Sequence, residues 1–190
     1  MPQPDFEILF DRVLNKLAGL APTLTYHAVS HTVDVVRQSE RIGHDEGVNE
    51  KEMYLLKVAA LYHDTGFLEI YAGHEEKGCE IFLNDTAAFH FNESDKRIIH
   101  DLIMVTKVPQ RPVTLLQKIL CDADLDYLGR SDFEEISGML KKEFLHYGIV
   151  KDEVEWKNMQ LKFIKNHHYH TNSSRLLREP GKKMNYARIH

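Results

Sequence analysis

Apolar residues recur every three or four positions over most of the chain, the spacing of a helix with one buried face. Phe6, Leu9, Phe10, Val13 and Leu17 form the first such stripe, and Ala18-Gly19-Leu20-Ala21-Pro22 closes it. A second helix is expected from near Ser30 to about Gly43, carrying Val33, Val35, Val36 and Ile42. A third opens at Asn49, where Glu52 three residues on makes a capping-box pattern, and runs to His63. The last half of that segment is apolar nearly all round, so it should lie at the centre. Gly66 to Gly73 reads as a loop. Further helices are expected over about 74–83, 93–107 (stopping before Pro109 and Pro112), 113–122 and 153–168. Another opens on Ser131 with Glu134 and runs to about Tyr147. The tail after Thr171 is basic, with Arg175, Arg178, Lys182 and Lys183, and reads as less regular. Period-2 runs rich in Val, Ile and Thr are absent, so the predicted fold class is all-α.

The chain has 190 residues, enough for one domain, or one domain with a helical extension, and for a substantial core. Its 43% apolar and 28% charged content fits a soluble globular protein. A net charge of -5 argues against nonspecific nucleic-acid binding but leaves room for a small anionic substrate. Cys79 and Cys121 form neither a zinc-type pair nor a disulfide framework, so they read as buried structural thiols in a reducing setting. No apolar run approaches the roughly 20 residues that cross a bilayer. The first residues lack a basic region followed by an apolar one, so a cytoplasmic location without membrane attachment is the expectation.

Ionisable residues inside the apolar segments change the picture. His63-Asp64 ends the most apolar stretch, in Leu61-Tyr62-His63-Asp64-Thr65-Gly66. His31 lies upstream, in Tyr26-His27-Ala28-Val29-Ser30-His31-Thr32-Val33-Asp34-Val35, and Asp122-Ala123-Asp124-Leu125 lies downstream. Each residue has a structural reading: a lone His on a partly apolar helix is commonly a hydrogen-bonded core residue, and an Asp can cap a helix. Jointly that reading weakens, because ionisable groups seldom enter apolar segments without a partner. His31, His63, Asp64 and one Asp from 122–124 supply two nitrogens and two carboxylates. This mixed set suits a first-row divalent ion and leaves positions for water or a substrate oxygen. His27 and His31, four apart, share a face if the helix reaches back that far.

These segments resemble the motifs of the HD-domain metal-dependent phosphohydrolases over about residues 22–130, leaving a helical extension over about 131–190. The resemblance implies an HD-type helical bundle. It also implies metal ligation by His31, His63, Asp64 and Asp124, the Ala-Asp-Leu context selecting Asp124. Tyr26-His27 with His31 and Asp34-Val35 is similar, more narrowly, to the opening motif of cyclic-nucleotide phosphodiesterase catalytic domains. There the first His is the general acid and the second a ligand, which makes His27 the acid here. Ala28 stands where those enzymes usually have Asn, and Thr65-Gly66-Phe67-Leu68 lacks their second His close after His-Asp. The implied activity is hydrolysis of a small phosphate mono- or diester, nucleotide-like. The implied cofactor is a divalent metal (Mn, Mg, Fe, Ni or Zn), with the attacking oxygen activated at Asp64 or at the metal.

Gly73-His74-Glu75-Glu76-Lys77-Gly78 resembles a His-x-x-x-Gly stretch of many HD proteins, so His74 is a candidate for a second metal or a substrate phosphate. His100, Thr106 and Lys107 are further pocket candidates, against the plainer reading of a solvated helix end. His167 and His170 are three apart and offer another metal pair, His168 facing elsewhere. The basic tail is a candidate to fold over the pocket and hold a phosphate, or a solvated terminus. Tyr26, Tyr62, Phe67 and Trp156 read as core or pocket wall. The competing functional classes are a non-catalytic HD scaffold that senses a nucleotide or partner, and a di-iron oxygenase, for which no second complete ligand set is present. Association with a second copy of the chain stays open.

Overall fold

The computed structural model describes residues 4–189. Among the described residues there are helices and turns and no strands, so the fold is all-α. The helices are α1 (Phe6–Leu17), α2 (Val29–Asp45), α3 (Glu50–Tyr62), α4 (His74–Asp85), α5 (Glu93–Val105), α6 (Leu115–Asp124), α7 (Phe133–His146), α8 (Glu153–Asn166) and α9 (Asn172–Ile189). No helix is long and apolar enough to cross a membrane among these residues.

α3 is the axis of the core, as its all-round apolarity predicts. Leu55, Leu56, Val58, Ala59, Ala60, Leu61 and Tyr62 are all buried, and α1, α2, α4, α5 and α6 pack around them. Its start is the expected capping box: the Asn49 side chain accepts the Glu52 N–H, and Glu52 accepts the Asn49 N–H. A smaller apolar cluster, with Tyr26, Leu125, Tyr127, Leu128, Phe133 and Ile164, joins the end of α6 to α7, α8 and α9. The two clusters meet where the ionisable residues converge, because α3 and α6 end there.

Several boundaries differ from the sequence expectations. α2 starts at Val29 with Ala28 as its N-cap, so His27 precedes the helix and shares no helical face with His31. The loop after Asp64 opens as a 3-10 turn, Thr65–Leu68. α4 runs on to Asp85, α5 ends at Val105, and α6 lies two residues later than expected. Ser131 does not cap α7. The N-cap is Asp132, whose carboxylate is taken by the Arg130 guanidinium (2.9 and 2.6 Å) and makes no cap bond. The tail after Thr171 is the regular helix α9 rather than an irregular segment.

Two close approaches depend on glycine. A Cβ on Gly66 would lie 1.9 Å from the His74 carbonyl oxygen, so only glycine lets α4 start against the 3-10 turn and bring His74 beside Asp64. Where α9 crosses the turn Asp126–Gly129, a Cβ on Gly181 would lie 2.1 Å from the Gly129 carbonyl oxygen. Backbone therefore packs on backbone directly after the segment carrying Asp124.

Candidate metal centre

Four side chains from three elements converge. His31 comes from the first turn of α2, His63 and Asp64 from the end of α3, and Asp124 from the last residue of α6. His31 Nε2 is 3.3 Å from Asp64 Oδ2 and 3.3 Å from Asp124 Oδ1. His63 Nε2 is 3.2 Å from Asp64 Oδ2 and 3.8 Å from Asp124 Oδ1. His31, His63 and Asp124 each offer a ligand atom within 4.8 Å of the others, and Asp64 lies against both imidazoles.

The chemistry of these atoms fits a cation. His63 Nδ1 lies 2.8 Å from the Ala60 carbonyl oxygen, which can only accept. The ring is therefore protonated on Nδ1, and in its neutral form Nε2 presents a lone pair to a carboxylate oxygen. His31 Nε2, His63 Nε2 and Asp64 Oδ2 are all buried without a hydrogen-bond partner. Lone pairs facing one another away from water are unfavourable unless something positive lies between them. The protonation tendencies tell the same story. Burial weakens the His31 imidazole as a base, but the adjacent Asp124 and Asp64 carboxylates outweigh it and raise its pKa to about 10. For His63 the burial effect is outweighed chiefly by the Asp64 charge, and its pKa also rises. Burial pushes Asp64 up, yet the His63 charge and the neighbouring His31 imidazole hold it well below the usual carboxylate range.

His74 adjoins this set. Its Nδ1 lies 3.0 Å from the Tyr71 carbonyl oxygen, and its Nε2 is 3.5 Å from Asp64 Oδ1, the oxygen that His31 and His63 leave free. The Phe67 ring stacks on those of both His74 (3.9 Å) and His27 (4.3 Å). His27 is held on its other edge by Glu143 of α7. Glu143 Oε1 pairs with His27 Nδ1 and accepts the Tyr71 hydroxyl (3.0 Å). Oε2 accepts the backbone N–H of Tyr26 (2.9 Å) and of His27 (3.1 Å). Glu143 has no exposed surface, and although burial raises its pKa, the His27 bond outweighs this and keeps it ionised.

Other candidates lie elsewhere. His100 is half-exposed and pairs with its neighbour Asp101. The Thr106 hydroxyl donates to the Ile103 carbonyl at 2.8 Å, and Lys107 pairs with Glu76 on the surface. Asp122 is saturated by His170, Thr171 and the Thr171 hydroxyl. The basic tail does not fold over the cluster: Arg178 bonds Asp126, Arg175 bonds the carbonyls of Tyr169 and His170, and Lys182 is buried against the His167 carbonyl. His167 and His170 join no metal-ready group among the described residues. Two contacts escaped the sequence reading. Gln110 donates to Asp124 Oδ2 at 2.9 Å, for which no local pattern exists. Glu143 lies 116 residues from His27, and no local pattern links the two.

The HD domain family model matches residues 28–129, more than half of the chain, and the chain belongs to the HD domain family. Members of this family typically bind divalent metals and act as metal-dependent hydrolases, and the His31, His63 and Asp124 cluster is compatible with that class. No curated protein and no solved structure matches the chain.

Proposed function

We propose that the protein is a metal-dependent phosphohydrolase acting on a small, nucleotide-like phosphate mono- or diester. The observation that carries this reading is the set of buried, unpartnered donor atoms on His31, His63 and Asp64 facing Asp124. These four residues would hold a divalent cation, which when bound would supply the positive charge that polarises a phosphoryl oxygen and acidifies water. Asp64 has a second role, its Oδ1 being turned toward the site where it can orient the attacking water, beside His74. His74 Nε2, with Nδ1 committed to the Tyr71 carbonyl, is placed to bind a phosphoryl oxygen or a second metal.

His27 is the general acid. Glu143 retains the proton on His27 Nδ1, so the protonated ring gives up the proton on Nε2 to the leaving oxygen and remains in one defined tautomer. Glu143 does for this imidazole what a buried carboxylate does for any oriented catalytic His: it fixes the ring and stabilises its charge. The side chain of His27 is 16% exposed, enough to reach a substrate while staying fixed between Phe67 and Glu143.

The test is hydrolysis of generic phosphomonoesters, phosphodiesters and nucleotides by the Mn²⁺- or Mg²⁺-reconstituted protein. Turnover is expected, and it should vanish in His31→Ala. His27→Ala should keep its metal and slow turnover by about 10²–10⁴. Metal binding without turnover of any of these esters would mean a binding module instead.

A further inference from the structure

A cleft of about 450 Å³ opens from the metal-ready cluster, with His31 and Asp124 in its wall. It runs along one stripe of α2, Ser30, Val33, Asp34 and Arg37, spaced as i, i+3, i+4 and i+7 and therefore on a single helical face. Ile136 and Met139 of α7 form the facing apolar wall, and Tyr26 and Tyr127 add aromatic surface. The two guanidiniums in the cleft differ in kind. Arg130 is committed, bonding Asp34 at 2.5 Å and Asp132 through two nitrogens. Asp34 is committed in turn, to Arg130 and to the Gln38 amide at 3.1 Å. On the same side of α2, Arg41 is taken by Asp126 at 2.9 Å. Arg37 is exposed, lines the cleft, and forms no salt bridge with a described carboxylate.

With Arg130 and Asp34 committed to protein partners and Asp124 and His31 turned to the metal-ready cluster, Arg37 is the cleft cation left open to an external anion. Its Cα lies six residues beyond His31, about 9 Å along the helix axis at 1.5 Å per residue. We infer that Arg37 recognises a second anionic group on the substrate, so that the enzyme selects organophosphates with an apolar or flat body and a distal carboxylate or phosphate. This rests on the proposed phosphohydrolase reading and adds the substrate class to it. A guanidinium suits such a group because its fork of N–H donors matches two oxygens at once. The cleft supplies the span: metal at one end, apolar and aromatic walls between, and the unpaired cation beyond.

Binding can test this apart from turnover. The Mn²⁺-loaded protein is titrated by calorimetry with hexylphosphonate and with 6-phosphonohexanoate, which differ only in the distal carboxylate and cannot be hydrolysed as esters. The wild type should bind the carboxylate-bearing probe about fivefold to tenfold more tightly. Arg37→Ala should bring the two affinities together by weakening only that probe, and Arg37→Lys should restore part of the difference. Equal affinities in the wild type, or a preference that survives in Arg37→Ala, overturn the inference whether or not phosphate esters are hydrolysed. Hydrolysis without any such preference leaves the phosphohydrolase reading standing and removes Arg37 from it.

Discussion

Two regions of this molecule bury histidines and aspartates side by side, and they do so for opposite purposes. In the first, His31, His63, Asp64 and Asp124 turn their ligand atoms toward one another, and three of those atoms lack any hydrogen bond. In the second, at the junction of α6 with α9, each carboxylate has been given protein donors. Asp122 accepts two backbone N–H groups and a hydroxyl, at 2.7–2.8 Å. Asp126, fully buried two residues beyond Asp124, accepts the Arg41 and Arg178 guanidiniums on Oδ1 at 2.9 Å each, and its Oδ2, which accepts no hydrogen bond, has the Arg130 charge at 3.8 Å. The imidazoles diverge in the same way. Carboxylates raise His31 to about 10, whereas burial, reinforced by the Lys182 charge, drives His167 down to about 3. Residue type and spacing therefore do not distinguish a metal centre from a structural junction. What distinguishes them is whether the protein itself supplies the counter-charge.

The contrast breaks most visibly at Asp126. Asp126→Ala strips a buried counter-ion from three guanidiniums that tie α2 and α9 to the turn after α6. A loss of about 2–3 kcal/mol in unfolding free energy is expected by urea titration, because Arg178 is left without a carboxylate while Arg41 keeps Asp45 and Arg130 keeps Asp34 and Asp132. Metal content of the folded fraction should be unchanged. Asp124→Ala should do the reverse, losing metal while costing less stability, since His31 keeps Asp64 beside it.

A smaller effect sharpens the comparison at His167. Below pH about 6.5 the unfolded chain takes a proton on this imidazole, while the folded protein resists protonation until about pH 3. The unfolded state then binds more protons, so stability falls as pH drops through that window and is fully recovered above it. His167→Asn should flatten the acid limb by on the order of 2 kcal/mol between neutral pH and pH 4 in urea titrations at stepped pH. An unchanged limb would show that the ring is free to protonate in the fold.

Much of this arrangement is legible from the chain alone, for a physical reason. Helix pattern and caps are local, so α1, α3 with its Asn49 box, and the all-α class follow from periodicity and one or two polar residues. The His63-Asp64 pair also stands out, because charge at the end of an apolar helix demands a partner. Tertiary partners are not local. Asp122 and Asp124 are equivalent by spacing, and only the donors brought by residues 170–171 and by Gln110 separate them. His27 looked like a helical neighbour of His31, but Ala28 caps α2 and the His27 ring is set by Glu143 from a helix beyond the family-matched region. The basic tail looked like a phosphate strap, yet its arginines answer Asp126 and backbone carbonyls, contacts that exist only once α9 docks on its glycines.

The central claim is that histidine and carboxylate ligand atoms converging on one another mark the metal centre, whereas carboxylates answered by protein N–H groups, hydroxyls or guanidiniums mark the junction. Metal per chain, counted by mass spectrometry on freshly purified wild-type, Asp124→Ala and Asp122→Asn proteins shown to be folded, tests it directly. The account predicts at least one divalent ion per chain in the wild type and in Asp122→Asn, and none in Asp124→Ala. Metal retained in Asp124→Ala, or lost in a folded Asp122→Asn, would contradict it.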